Sequence, residues 1–247
     1  MATRAGMAEK WVLVTGAGSG MGDATARKFL ESGWGVLALD VQEDPLDALR
    51  EEYGEAVSRA VVYIVARRAI AHALDSSGVG SRLHAAMNVA GIFPPTTLDT
   101  WTADLYHRTF EVNVRGTLHV MAEAVTRFRQ SGVKGSIVNW VSPDAYVPKT
   151  GQLLYAASKS AVASLVRSVA ATVASDDIYV NGLAPGWINT PGNKATGRMV
   201  GAEKKIPLGR IAEPAEIAEW AFALAERAPL GYMTGETIRI AGGLDGS

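Results

Sequence analysis

Tyr155 and Lys159 stand four residues apart in Tyr155-Ala156-Ala157-Ser158-Lys159, a stretch that reads as helix. This spacing puts both on one helix face, a turn apart. A free phenol titrates at about 10 and is a poor base at neutral pH. A neighbouring ammonium favours the phenolate. Such a tyrosine can take a proton from an alcohol or return one to a ketone. The motif alone is weak, because an amphipathic surface pair has the same spacing. Ser142 closes a predicted strand just before Pro143. Its hydroxyl would face the cleft beyond the C-terminal strand ends, where open α/β sheets bind ligands; a turn serine is the plainer alternative. Asn113 falls inside a predicted helix, 102–130, between Val112 and Val114. Asn is disfavoured in helix interiors, so a buried Asn there needs partners.

A second group could hold a phosphate. Val12-Leu13-Val14-Thr15-Gly16-Ala17-Gly18-Ser19-Gly20-Met21-Gly22 runs from an apolar strand into a helix. Glycines let a backbone approach a phosphate closely, and the following helix offers unpaired N–H groups to a pyrophosphate. The spacing is T-G-x-x-x-G-x-G; Met21 stands where the common G-x-G-x-x-G fingerprint needs its third glycine. An ordinary tight βα turn would look similar. Asp40 ends the second predicted strand, 20 positions after Gly20. An acid there can accept hydrogen bonds from both ribose hydroxyls of an adenosine and would repel a 2′-phosphate. Ser19 and Val41 supply no cation for such a phosphate. The expected cofactor is therefore NAD.

The elements that must position these residues alternate. Apolar runs at 11–15, 36–39, 61–65, 83–88, 137–141, 178–183 and 237–240 read as strands. Helical patterns fall near 21–32, 45–53, 69–77, 102–130, 152–175 and 213–226. Several strands are apolar throughout, as parallel strands buried on both faces are. The expected fold class is α/β: a doubly wound Rossmann-type domain with a seven-stranded, mostly parallel sheet and helices on both faces. It would span 10–247, after a loose arm at 1–9. Pro, Gly and Asn cluster at 181–197, so that stretch reads as the most mobile loop, with a short substrate loop near 188–206.

The 247 residues fit one large domain. Lys plus Arg number 24 and Asp plus Glu 25, which argues against a dedicated nucleic-acid binder. Without cysteine the chain can form no disulfide, thiolate metal site or cysteine nucleophile. That fits a reducing cytoplasm. No apolar run reaches the ~18 residues of a membrane span. His72, His84, His107 and His119 show no ligand spacing, so no metal is expected.

Together these pieces resemble the short-chain dehydrogenase/reductase family, in its larger single-domain subclass. The resemblance runs from about Trp11 to Gly243. It rests on the Thr15–Gly22 turn, Asn88-Val89-Ala90-Gly91, Asn113, Ser142, Tyr155-x-x-x-Lys159, Pro185-Gly186, and Thr234-Gly235-Glu236 through Gly242-Gly243. It implies that Tyr155 is the general acid/base and that Lys159 holds the nicotinamide ribose. Ser142 would hydrogen-bond the substrate oxygen, and Asn113 would bind a water extending the proton relay. It also implies cofactor contacts at Gly16, Ser19, Gly20, Met21, Gly22, Asp40, Asn88, Ala90, Gly91, Pro185 and Gly186. Ile188 through its backbone and Thr190 through its hydroxyl would anchor the carboxamide. Two features depart from the family pattern: Val89 replaces its usual second Asn, and Ile64-Val65-Ala66-Arg67-Arg68 lacks the usual adenine-binding acid.

The resemblance places the substrate wall at Pro143, Asp144, Tyr146, Lys149, Leu154 and Trp187, with Leu153 and Phe93 nearby. The stretch Val141–Lys149 is similar to dehydrogenases of cyclic dihydrodiols that bear a carboxylate, where a basic residue meets the acid group. The expected activity is NAD-dependent interconversion of a secondary alcohol, cyclic or aryl-bearing, and its ketone. A 3-oxoacyl-carrier-protein reductase is the alternative, with Arg127, Arg129 and Arg167 as a docking patch; an idle dinucleotide sensor is a third reading, opposed by the complete catalytic set. The family resemblance also implies a homotetramer paired through helices 102–130 and 152–175.

Overall fold

The computed structural model describes residues 8–147, 149–197, 199–227 and 231–244. Residues 1–7 of the expected N-terminal arm lie outside the described residues. Among the described residues, seven strands form one parallel sheet: β1 (Trp11–Thr15), β2 (Gly35–Asp40), β3 (Val57–Val61), β4 (Leu83–Asn88), β5 (Ser136–Trp140), β6 (Tyr179–Pro185) and β7 (Thr237–Ile240). Their order across the sheet is β3-β2-β1-β4-β5-β6-β7. The order reverses between β1 and β4, so a crevice opens at the C-terminal ends of those two strands.

The helices are α1 (Gly20–Glu31), α2 (Glu43–Tyr53), α3 (Arg67–Ser76), α4 (Ala103–Phe110), α5 (Thr117–Ser131), α6 (Leu153–Val173), α7 (Pro191–Ala195) and α8 (Pro214–Arg227). They cover both faces of the sheet. Alternate residues of β1 therefore enter different cores. Trp11 and Leu13 pack with Ile70, Leu74, Met121 and Phe128. Val12 and Val14 pack with Phe29, Leu46, Leu49 and Ile217. Burial on both faces explains why β1 shows no polar alternation.

The structure corrects three sequence expectations. The third strand is Val57–Val61, not 61–65. It is an edge strand, with only Val57 fully buried, and Arg59 reaches out to Glu43 and Asp47 on α2. An edge strand with polar residues on one face lacks the continuous apolar signal. The helix expected at 102–130 is interrupted by a wider π-turn at Glu111–Gly116, centred near Asn113. The stretch 181–197 is mostly regular: it completes β6 and contains α7, whose start is capped by the Thr190 hydroxyl.

Candidate active site

Two adjoining cavities open at the C-terminal end of the sheet. One, about 390 Å³, is lined by Gly16, Ser19, Met21, Gly22, Asp40, Val41, Tyr63, Ala90, Gly91, Arg108 and Thr190, among others. The second, about 140 Å³, is lined by Met21, Gly91, Phe93, Ser142, Pro143, Asp144, Lys149, Gln152, Tyr155, Lys159, Pro185, Gly186, Trp187, Thr190 and Asn193, among others. Met21, Val89, Gly91, Phe93 and Thr190 border both, so the two form one bent cleft.

The first cavity is built from backbone. Gly16 sits at φ +67°, and a Cβ there would come within 3.0 Å of the Ala90 backbone. A Cβ on Gly22 would lie 1.8 Å from the Gly16 carbonyl oxygen, so the first turn of α1 must carry glycine at this position. The Thr15 hydroxyl accepts from the N–H groups of Val89 (3.1 Å) and Ala90 (3.2 Å), tying the turn after β1 to the turn after β4. Asp40 closes the rim. Its Oδ2 accepts from the Gly18 N–H at 2.8 Å, and its Oδ1 accepts from the Val41 and Gln42 N–H groups at 2.7 and 3.0 Å. A carboxylate has about four acceptor sites, so it keeps capacity for a further donor. A glycine cradle at a helix start with an acid at its rim fits a dinucleotide.

The second cavity is built from side chains held by side chains. Lys159 is buried, and its Nζ donates to the Trp140 carbonyl at 2.6 Å. Burial pushes its ammonium down to about 8 from the ordinary 10.5. It lies 5.8 Å from the Tyr155 ring centre. Phe93 meets Tyr155 edge to face at 6.1 Å. Asn113 is buried in the π-turn. Its Oδ1 accepts from the Ile92 N–H (2.8 Å), and its Nδ2 donates to the Ile92 carbonyl (2.8 Å) and to Ser158 Oγ (2.9 Å). Ser158 in turn donates to the Tyr155 carbonyl at 2.7 Å. A Cβ on Gly91 would meet Asn113 Oδ1 at 3.2 Å and Lys159 Nζ at 3.5 Å. The π-turn, the loop after β4 and α6 are thus locked around one point. Such turns inside helices often mark functional sites.

Most sequence-predicted residues converge here. Ser142, Tyr155 and Lys159 line one cavity, and Asn113 braces it from behind. Pro143, Asp144, Lys149 and Trp187 line the expected substrate wall. Tyr146 and Leu154 do not: Tyr146 turns to solvent, whereas Leu154 is buried and its N–H donates to the Thr96 hydroxyl. The first turn of α6 points Leu154 into the protein and leaves Tyr155 on the cleft side. Asn88 also stays behind the cleft wall, where its Nδ2 donates to Asn139 Oδ1 at 2.8 Å. Gly20, at φ +57°, packs beside Thr190, and the buried Ile188 contributes its carbonyl to the Thr190 N–H and to Asn193 Nδ2.

Sequence reasoning missed Gln152, Asn193, Tyr63 and Arg108. Gln152 stands just before α6 and Asn193 lies within the short α7, neither with a spacing signal. Tyr63 follows the misplaced third strand. Arg108 reaches the first cavity from α4, some 20 residues beyond the loop it faces. Among the described residues, no group of three or more His, Cys, Asp or Glu could hold a metal ion, and no helix is long and apolar enough to cross a membrane.

A family model described as "Enoyl-(Acyl carrier protein) reductase" matches residues 16–245. The 2,3-dihydro-2,3-dihydroxybenzoate dehydrogenase of Escherichia coli K12 is 34% identical over 232 residues, covering 87% of this chain and 89% of the relative. A solved structure of a short chain dehydrogenase/reductase family protein superposes with a TM-score of 0.85 at 29% identity, covering 96% of this chain and 98% of the other. The 3-ketoacyl-(acyl-carrier-protein) reductase of Brucella melitensis, solved in complex with NADH, gives a TM-score of 0.87 at 27% identity, covering 95% and 98% of the two chains.

Proposed function

The chain belongs to the short-chain dehydrogenase/reductase family of oxidoreductases, and from that premise we propose that it is an NAD-dependent enzyme interconverting a secondary alcohol, cyclic or aryl-bearing, and its ketone. The observation that carries this reading is the gathering of Ser142, Tyr155 and Lys159 on one cavity that continues to Asp40. When bound, the nicotinamide supplies the hydride acceptor or donor.

The protein does the rest. The Ser142 hydroxyl and the Tyr155 phenol hold the substrate oxygen. Tyr155 takes the hydroxyl proton during oxidation and returns it during reduction. The Lys159 ammonium favours the phenolate and would also hold the nicotinamide ribose. With its pKa at about 8, Lys159 keeps its proton at neutral pH and loses it in mildly alkaline solution. Asn113 is a positioning residue: its amide is spent on Ile92 and Ser158, which fixes the turn carrying Tyr155. Asp40 would hold the adenosine ribose and disfavour a 2′-phosphate. Ile188 and Thr190 would hold the carboxamide.

Carrier-protein reduction is the second reading, favoured by the matched family description and by the NADH-bound reductase structure. Against a docking patch at Arg127, Arg129 and Arg167, the first two are already matched by acids. Arg127 meets Asp75 at 2.7 Å, and Arg129 meets Asp176 at 2.7 Å. The same family reading extends to a cytoplasmic homotetramer, which sedimentation at micromolar concentration would test. The deciding experiment is titration of tryptophan fluorescence with NADH and NADPH, followed by turnover on alcohols with NAD. Selective NADH binding with alcohol oxidation is the expected result. Preference for NADPH, with reduction of a 3-oxoacyl carrier protein, would replace it by the second reading.

A further inference from the structure

The outer end of the first cavity, beyond Asp40, is where the base of a dinucleotide must fall. With the nicotinamide at Tyr155 and Lys159 and the adenosine ribose at Asp40, the base meets Val41, Val62, Tyr63, Ile64, Arg108 and Val112. The chain leaving β3 is tied to this rim. The Val62 N–H donates to the Asp40 carbonyl at 2.8 Å, and the Tyr63 carbonyl accepts from the Ala66 N–H at 2.9 Å. Val62, Ile64 and Val112 are buried, whereas Val41 and Tyr63 are half-exposed and open to a ligand.

Asp40 is the only acid that lines this cavity, and no Asn or Gln side chain lines it. The polar side chains at its outer end are the Tyr63 phenol and the Arg108 guanidinium, and Arg108 is the only cation in the lining. Among the described residues, neither group is spent on a hydrogen bond or ion pair within the protein. A carboxylate only accepts, so it would favour the 6-amine of adenine over a 6-carbonyl. A phenol hydroxyl both donates and accepts, and a guanidinium only donates. This pair therefore tolerates either group at position six of a purine. We infer that the outer end holds a purine by its face, stacked on Tyr63 beside Arg108, without reading its 6-amine. The chain then accepts a dinucleotide in which hypoxanthine replaces adenine.

Stacking suits an open rim. Every base has a π-face, so contact with an aromatic ring tolerates changes at the base edge. An arginine beside the ring adds a cation–π contribution. Val41 supplies apolar contact from the end of β2. The inference rests on the NAD reading above and concerns only how the distal base is held.

The test compares binding of NADH and of reduced nicotinamide hypoxanthine dinucleotide, each followed by its own fluorescence. Wild type should bind the two with dissociation constants within about threefold of each other. A site that reads the amine with a charged acceptor would lose roughly tenfold or more on the hypoxanthine form. Tyr63→Ala should weaken both ligands by roughly five- to hundredfold, the range for a base stacked on an aromatic ring. Tyr63→Phe keeps the ring and should restore NADH binding to within about threefold of wild type, a rescue that a general loss of structure would not give. The wild-type ratio decides the tolerance even if Tyr63→Ala fails to fold. A hypoxanthine form bound more than about threefold more weakly overturns the inference, as does NADH binding that Tyr63→Ala leaves unmoved. Failure of wild type to bind either dinucleotide overturns the NAD reading beneath it.

Discussion

The two ends of the cleft are built on opposite plans. At the Tyr155 end, side chains hold side chains: Asn113, Ser158, Lys159 and the Trp140 carbonyl are buried and bonded to fixed partners. At the Asp40 end, backbone does the holding, through Gly16, Gly18, Gly22 and the N–H groups gathered by Thr15 and Asp40. The rim there is open, with Val41 58% and Tyr63 51% exposed. The contrast suits the tasks proposed for the two ends. Proton transfer needs side-chain groups placed to fractions of an ångström. A phosphate or an adenine edge can be met by main-chain donors and loose apolar contact.

Substitutions should separate the two ends. The largest effect is expected at Tyr155. Tyr155→Phe should lower kcat by roughly 10²–10⁴-fold, the usual contribution of a general acid/base. The NADH dissociation constant, read by fluorescence, should change little; a fully active variant would sink the catalytic assignment. Asp40→Ala should do the reverse. Its kcat should stay near the wild-type value, while the preference for NADH over NADPH should fall by about tenfold or more as the charge facing a 2′-phosphate disappears. An unchanged cofactor ratio would show that the rim acid merely ties the turn at Gly18 to the Val41–Gln42 turn.

Lys159 offers a pH signature without any ligand. Its folded-state pKa is depressed to about 8 by burial, against an ordinary 10.5. Below pH 8 folding must bury the charged form, so the cost is fully present there. Between pH 8 and 10.5 the unfolded chain binds more protons, so this term raises stability as pH climbs, by about 3 kcal/mol in all. Chemical denaturation of wild type and Lys159→Met across that window should show the rise only in wild type. Equal slopes would mean that the ammonium is better solvated than its burial implies. The smallest effect is expected far from the cleft. Arg59→Ala removes partly exposed ion pairs to Glu43 and Asp47, and should cost about 0–1 kcal/mol with no change in kcat.

Legibility in the sequence followed the same division. Tyr155 and Lys159 were readable because helical geometry places i and i+4 side chains together whatever surrounds them. The Thr15–Gly22 turn was readable because glycines there are required by close backbone approach, as Gly16 and Gly22 show. Tyr63 and Arg108 were not, since the third strand is an edge strand with half its face in water, and Arg108 arrives from a distant helix. Leu154 was misassigned because adjacent helical residues point about 100° apart, and only packing decides which of them faces the cleft.

Composition, alternating patterns and motif order were enough to establish an α/β domain, its parallel sheet and the residues that the fold gathers on one cleft. These are local or cumulative properties, written in spacing and hydropathy. The tertiary structure alone decided what each polar group has already spent. It committed the Asn113 amide to Ile92 and Ser158, widened its helix into a π-turn, and matched Lys149 with Asp144 beside Trp187. The sequence lists donors and acceptors, but a buried group's chemistry depends on which partner the fold brings within about 3 Å.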